Sequence, residues 1–173
     1  MLILVTGGSA SGKSEYAESL VVASPIRERY YIATMMPYDD ECHRRVERHR
    51  MMRAQKGFIT VEKYLELSGW SCPPGAVVLL ECMSNLVANE MYADGGARES
   101  TVQSILAGVR TIAGRASLLV IVSNEVFSDG IDYGPETNRY NSCLACVNRE
   151  IAAFADQVTE VAAGIPIIHK GAV

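Results

Sequence analysis

A glycine-rich segment near the start of the chain has the residue types and spacing that bind phosphate. Residues 7–14 read Gly-Gly-Ser-Ala-Ser-Gly-Lys-Ser and follow the apolar run of residues 1–5. The pattern Gly-x-x-x-x-Gly-Lys-Ser between a strand and a helix is typical of a phosphate-binding loop, or P-loop. Glycines let the backbone wrap closely around a ligand, and the loop N–H groups together with the N-terminus of the next helix form an anion site.

This loop predicts a nucleoside triphosphate as ligand. The Lys13 ammonium can reach the outer phosphates, and the Ser14 hydroxyl can ligate Mg²⁺. Lys13 is therefore also a candidate catalytic residue. The whole loop is predicted to bind the nucleotide: Gly7, Gly8, Ser9, Ala10, Ser11, Gly12, Lys13 and Ser14.

A Mg²⁺ ion held by Ser14 needs an acidic group, usually at the end of a neighbouring apolar strand. Glu81 follows the apolar run of residues 77–80, and Glu125 comes shortly after a second run at 118–122. We predict Glu81 as the second metal ligand and keep Glu125 as the alternative. Two further strand candidates end in polar residues that we predict to bind the nucleotide, Thr34 and Glu62.

The segment 39–56 is strongly basic in an otherwise acidic chain. It carries six of the sixteen Lys and Arg residues, although the formal net charge of the chain is −4. One interpretation is a solvated helix face with i,i+4 ion pairs, and the other is a site for a ligand with several phosphates. The segment also contains His43 and His49, between which the spacing alone does not decide. The basic residues are Arg44, Arg45, Arg48, Arg50, Arg53 and Lys56.

The positions of these groups depend on an alternation of strands and helices along the chain. The runs at 77–80 and 118–122 are continuously apolar, which is typical of strands buried on both faces of a parallel sheet. Strands are predicted at 2–6, 30–34, 76–81, 118–123, 157–161 and 165–169, and a weaker one at 59–62. Helices are predicted at 14–22, 39–55, 83–92, 100–114 and 136–156. This order predicts an α/β fold, with a mostly parallel, doubly wound sheet and flanking helices in a single P-loop NTPase-like domain at 1–173.

Composition excludes several classes of partner. The charge of −4 and the isoelectric point of about 5.4 provide no overall basic field for nucleic acid or anionic membranes. No apolar run approaches the length of a membrane span, and the first strand leaves no room for a signal peptide. We therefore expect a cytoplasmic protein with reduced cysteines. The pair Cys143 and Cys146 lacks a second pair nearby and is interpreted as ordinary small core thiols, and His169 as a structural residue with no partner in view.

Several of these motifs occur together in one known family. The chain resembles the bifunctional adenosylcobinamide kinase/adenosylcobinamide-phosphate guanylyltransferases of cobalamin biosynthesis. The resemblance covers most of the chain and is most specific at Asp40-Glu41, Arg45-Val46, His49-Arg50 and Arg53, in register after the Tyr-Ile-Ala-Thr of residues 31–34. Matches at 4–8, 11–14, 17–18, 79–82, 124–126 and 147–148 follow in the family's order.

The resemblance implies two reactions. ATP or GTP phosphorylates the aminopropanol hydroxyl of adenosylcobinamide, a corrinoid, and GMP is then transferred from GTP onto that phosphate through a guanylylated histidine. Carried over by position, His49 is that histidine, and Arg45, Arg50 and Arg53 bind the nucleotide phosphates. The resemblance also implies Mg²⁺ as cofactor and a propeller-like homotrimer.

The chain departs from the family pattern at charged positions. Ala10 replaces a common arginine, and Asn141 and Cys146 lie where the family shows charged motifs. If these charges orient a nucleotide or the corrinoid phosphate, their loss predicts that one half-reaction is weakened or that the substrate differs. A kinase for another small alcohol, in which His49 only binds phosphate, and a nucleotide-dependent regulator without transfer activity remain the alternative interpretations.

Overall fold

The computed structural model describes residues 1–37, 44, 47, 51, 56–126 and 131–171. In this part of the chain, strands and helices alternate largely as the sequence predicts. The strands are β1 (Leu2–Thr6), β2 (Arg29–Ala33), β3 (Phe58–Glu62), β4 (Val77–Glu81), β5 (Leu118–Val122), β6 (Gln157–Ala162) and β7 (Ile165–Lys170). The helices are α1 (Lys13–Val22), α2 (Met83–Tyr92), α3 (Thr101–Ala113) and α4 (Pro135–Phe154), with two short 3₁₀ helices at Leu67–Gly69 and Arg98–Ser100 that the sequence analysis did not predict.

All seven strands join one sheet in the order β3-β2-β4-β5-β1-β6-β7. Every neighbouring pair is parallel except β6 and β7, which form an antiparallel hairpin. The predicted α/β fold class with a mostly parallel sheet is therefore confirmed. The extent of the single domain, residues 1–173, stays a prediction.

The continuous apolar runs form the central strands because both of their faces are covered. All four apolar residues of β4, residues 77–80, are completely buried. Successive side chains point to opposite faces of a strand, so the core divides into two clusters. One cluster contains Leu4, Val78 and Leu80 and packs against α2, α3 and α4, whereas the other contains Val5, Val77 and Leu79 and packs against α1.

The parallel register brings the carboxyl ends of the strands to one edge of the sheet. Ala33 pairs with both Glu62 and Glu81, and Glu81 pairs with Val122. The loop after β1 enters α1 on one face, whereas α4 connects β5 to β6 across the other face. Such a divergence of connections creates a crevice above the strand ends, where ligands of doubly wound folds bind.

Most predicted boundaries agree with the structure to within one or two residues. The strand β2 ends at Ala33, so that Thr34 lies just beyond it. The helix α4 ends at Phe154 rather than at 156, because Ala155 already adopts an extended conformation that leads into β6. The helix predicted at 39–55 falls mainly outside the described residues.

Candidate nucleotide-binding site

The loop between β1 and α1 has a backbone path that requires glycine. Gly7 has a φ of +152° and Gly12 a φ of +90°, both in a region that other residues rarely adopt. A Cβ on Gly7 would also lie only 2.5 Å from the carbonyl oxygen of Val161. The two glycines therefore set the tight turn that connects β1 to α1.

Two other loops hold this turn in place. The backbone N–H of Glu125 donates to the carbonyl of Gly7 at 3.2 Å, and that of Gly164 donates to the carbonyl of Ser11 at 2.8 Å. The Ser11 hydroxyl is buried inside the turn and has no hydrogen-bond partner among the residues that the structure describes. Buried polar atoms are rarely left unpaired. A polar ligand bound in the loop would give this hydroxyl the partner that it lacks.

The N-terminus of α1 opens onto the same loop. Gly12 occupies the N-cap position and provides no side-chain cap for the first helical N–H groups. These groups and the positive end of the helix dipole favour an anion. Lys13 is largely buried, and its ammonium donates to the carbonyl of Gly8 at 3.0 Å. The ammonium is thus folded back over the loop, next to the position that an anion would take.

Ser14 and Glu81 meet at the carboxyl edge of the sheet. The Ser14 hydroxyl donates to Oε1 of Glu81 at 2.5 Å, and the Tyr31 hydroxyl donates to Oε2 at 2.8 Å. Mg²⁺ prefers oxygen ligands and keeps several waters, so one hydroxyl and one carboxylate beside a phosphate site are a suitable donor set. The residues present therefore fit a magnesium ion shared with a bound phosphate.

Thr34 lies at this edge but has its hydroxyl committed to the backbone. It is fully buried, donates to the carbonyl of Cys82 at 2.8 Å and accepts from the Cys82 N–H at 2.8 Å. The structure thus favours a role in holding the segment after Glu81. Direct nucleotide binding by Thr34 stays a prediction that this arrangement does not support.

Glu62 and Glu125 are not joined to the Ser14–Glu81 pair. Glu62 lies two strands away from Glu81 in the sheet, a separation of about 10 Å for two strand spacings. Its carboxylate is exposed and accepts from the Tyr64 hydroxyl at 3.1 Å. Glu125 contacts the loop through its backbone N–H. Of the two metal candidates, Glu81 is the one that contacts Ser14.

Four predicted site residues lie outside the described residues: Arg45, His49, Arg50 and Arg53. His169, interpreted from the sequence as a structural residue, is described and has a partner that the sequence did not bring into view. Its Nε2 lies 2.8 Å from Oε2 of Glu160 across the β6–β7 hairpin. Sequence spacing could not show this pair, because it depends on the antiparallel register of the two strands.

A polar network beside the strand ends was also missed by the sequence analysis. Asn148 on α4 accepts from the Ser123 hydroxyl at 2.7 Å and donates to the carbonyl of Asn124 at 3.3 Å. Asn124 in turn donates to the Ser84 hydroxyl at 2.6 Å, and the Tyr140 hydroxyl donates to the Ser84 carbonyl at 3.2 Å. The network ties α4 to the start of α2 and to the residues directly after β5. Burial raises the pKa of Tyr140 to about 12, so the phenol remains a donor at neutral pH.

Comparison with known proteins identifies the family to which this site belongs. Residues 3–168 match the family model described as cobinamide kinase / cobinamide phosphate guanyltransferase. The chain belongs to this family. The match covers nearly the whole chain and leaves out only the first residue of β1 and the last two residues of β7 among the described helices and strands.

Relatives of the cobinamide kinase family align over almost the full chain. The bifunctional adenosylcobalamin biosynthesis protein CobU of Escherichia coli is 34% identical, covering 98% of this chain and 100% of the relative. CobU of Salmonella typhimurium is 33% identical, covering 98% of this chain and 100% of the relative. The bifunctional adenosylcobalamin biosynthesis protein CobP of Pseudomonas aeruginosa is 30% identical, covering 97% of this chain and 96% of the relative. The flagellar accessory protein FlaH of Methanocaldococcus jannaschii is a remote structural match, with a TM-score of 0.49, 13% identity and coverage of 98% of this chain and 78% of FlaH.

The described part of the chain contains neither a candidate membrane-spanning helix nor a candidate metal cluster. Among residues 1–37, 56–126, 131–171 and the three isolated positions, no helix has the length and apolarity that crossing a bilayer requires. The same residues contain no cluster of three or more His, Cys, Asp and Glu side chains that could hold a metal ion. A magnesium ion held by Ser14 and Glu81 would not need such a cluster, because phosphate and water would supply its other ligands.

Proposed function

We propose that this member of the cobinamide kinase family catalyses two successive transfers onto adenosylcobinamide. ATP or GTP first phosphorylates the aminopropanol hydroxyl, and GMP from GTP is then attached to the new phosphate to give adenosylcobinamide-GDP. The observation that carries the proposal is the match of residues 3–168 to a family named for both activities. The bifunctional relatives that align end to end support the same assignment.

We assign the kinase reaction to the loop of residues 7–14 and to the start of α1. The aminopropanol oxygen attacks the γ-phosphorus, the bond to the bridging oxygen breaks, the nucleoside diphosphate leaves and the hydroxyl proton is lost. Phosphoryl transfer depends mainly on positioning and charge stabilisation. The anion site at the start of α1, with Lys13 held beside it, provides both.

Magnesium is the proposed cofactor of this step. Ser14 and Glu81 would hold it together with oxygens of the nucleotide, as their contact at 2.5 Å allows. When bound, the ion neutralises the charge that develops on the phosphates. Mg²⁺ is therefore proposed together with ATP and GTP as substrates.

The guanylyltransferase half is assigned to His49. Its imidazole nitrogen attacks the α-phosphorus of GTP and releases pyrophosphate. An oxygen of the corrinoid phosphate then attacks the same phosphorus, the phosphorus–nitrogen bond breaks and the histidine is restored. Arg45, Arg50 and Arg53 are proposed to stabilise the phosphate charge in both displacements. This assignment rests on the family and on the position of His49 in the sequence.

Intact mass spectrometry tests the second half directly. The protein is incubated with GTP and Mg²⁺ without corrinoid, in parallel with the His49→Ala variant. We expect the wild type to gain the mass of one GMP and the variant to gain none, while the variant still phosphorylates adenosylcobinamide. A wild type that binds triphosphate but gains no mass would favour the kinase-only alternative.

The assembly and the location are proposals as well. We propose a homotrimer, in keeping with the family resemblance, and an apolar surface is available for subunit contact on β7, where Ile165 and Ile167 are exposed. Light scattering of the purified protein measures the assembly state. We place the reaction in the cytoplasm, where ATP and GTP are supplied.

A further inference from the structure

The carboxylate of Glu81 is held from two sides by two different elements. Its Oε1 accepts from the Ser14 hydroxyl on α1 at 2.5 Å, and its Oε2 accepts from the Tyr31 hydroxyl on β2 at 2.8 Å. A carboxylate bound at both oxygens has its plane defined. The oxygen that faces the loop is therefore distinguished from the oxygen that faces β2.

Tyr31 is suited to this task because its ring cannot move freely. Its side chain is 5% exposed, and the ring packs edge-on against Phe58 of β3, with centroids 5.9 Å apart and an interplanar angle of 84°. In the register of β2 with β4, Tyr31 pairs with Leu79, and Glu81 lies two residues further along on the same face. The phenol thus reaches diagonally across the sheet to the carboxylate.

We propose that Tyr31 is a positioning residue for the magnesium–nucleotide site. It acts through Glu81, by binding Oε2 so that Oε1 remains directed at Ser14. The inference deepens the proposed function and rests on it, because it assumes that the loop binds a triphosphate with Mg²⁺. Tyr31 itself is not assigned a contact with the nucleotide or the metal.

Side chains that bind a metal are commonly oriented by hydrogen bonds from neighbouring residues. Removing such a partner typically weakens metal affinity or activity by about 10–100-fold. Without the phenol, Glu81 gains freedom to rotate away from Ser14. Tyr31 itself is buried, so its phenol is held at a fixed position beside the half-buried carboxylate of Glu81.

The variant Tyr31→Phe removes one hydroxyl and keeps the ring. Binding of a non-hydrolysable ATP analogue is measured by calorimetry over a range of Mg²⁺ concentrations, and again in EDTA. We expect the Mg²⁺ concentration for half-maximal enhancement of binding to rise about tenfold or more. The affinity in EDTA should stay at the wild-type value, because the loop and Lys13 are untouched.

Tyr30 provides a matched control on the same strand. Its hydroxyl donates to the exposed carboxylate of Glu28 at 2.6 Å, and its ring packs on Trp70. Tyr30→Phe therefore also deletes one bond between a phenol and a carboxylate, but away from the loop. We expect wild-type binding from this variant at every Mg²⁺ concentration.

A double variant separates positioning from general support of the fold. If Tyr31 acts through Glu81, then adding Tyr31→Phe to Glu81→Ala should not raise the Mg²⁺ requirement further. An additional rise would overturn the inference, as would a Tyr31→Phe protein with wild-type Mg²⁺ dependence or one that also loses affinity in EDTA. A wild type that binds no triphosphate would refute the proposed nucleotide site itself, and the inference with it.

Discussion

The Lys13 ammonium and the Ser14 hydroxyl could be predicted from sequence because their roles follow from local spacing. Both belong to a motif of eight consecutive residues that needs no knowledge of the rest of the fold. Tyr31 and Thr34 could not be predicted in the same way. Their contacts join residues 50 and 48 positions apart, so they exist only when β2 lies in register beside β4.

We expect Lys13→Ala to weaken triphosphate binding by about tenfold or more, which corresponds to about 1.4 kcal/mol. The reason is that Lys13 places the only described ammonium within the loop, where it contacts the carbonyl of Gly8. Calorimetry with ATP measures the change. Lys170→Ala is the control, because its ammonium binds the carbonyls of Ala152 and Ala153 near the opposite edge of the sheet. Equal affinities of the two variants would contradict the role of Lys13.

The positions of the strands could be predicted from the sequence better than the contacts that the strands and loops make with each other. Continuous apolar runs define β4 and β5, and the structure confirms both as buried central strands. The bracing of the loop by the β6–β7 hairpin could not be predicted, because it depends on one backbone hydrogen bond between Gly164 and Ser11. Backbone groups carry no sequence signal, so contacts of this kind require the structure.

We expect Gly7→Ala to destabilise the fold, whereas Gly8→Ala should not. A Cβ on Gly7 would meet the Val161 carbonyl at 2.5 Å, whereas one on Gly8 would meet nothing within 4 Å. The cost at Gly7 should be about 1–3 kcal/mol, the usual range for an overpacked site. Urea unfolding without nucleotide measures both variants. A Gly7→Ala protein as stable as Gly8→Ala would show that β6 can move away from the loop.

The net charge of the whole molecule, −4, and its local basic segment have opposite effects on the binding of anionic ligands. The overall charge opposes binding of polyanions, whereas the basic residues at 44–56 concentrate positive charge in one stretch. Any nucleotide that binds only the folded protein must stabilise the whole chain by mass action. Thermal unfolding therefore reports on the site without any assumption about turnover.

We expect ATP with Mg²⁺, at about 100 times its dissociation constant, to stabilise the protein by about 2.7 kcal/mol. For a chain of this size this corresponds to a rise in Tm of about 5–10 °C. Scanning fluorimetry measures the shift, and EDTA should reduce it in the wild type. Glu81→Gln should show a smaller shift with Mg²⁺ and little further effect of EDTA. A shift that is insensitive to EDTA in the wild type would contradict a role for Mg²⁺.

The position of β1 in the sheet has a consequence for how the protein folds during synthesis. The strand β1 leaves the ribosome before its two neighbours in the sheet, β5 and β6, which lie more than a hundred residues later in the chain. The loop after β1 also gains a hydrogen bond only when Gly164 is present, because the Gly164 N–H donates to the Ser11 carbonyl. Such long-range pairings slow folding and leave early strands unpaired for most of translation. The surroundings of the loop are thus completed only after the β6–β7 hairpin has been made.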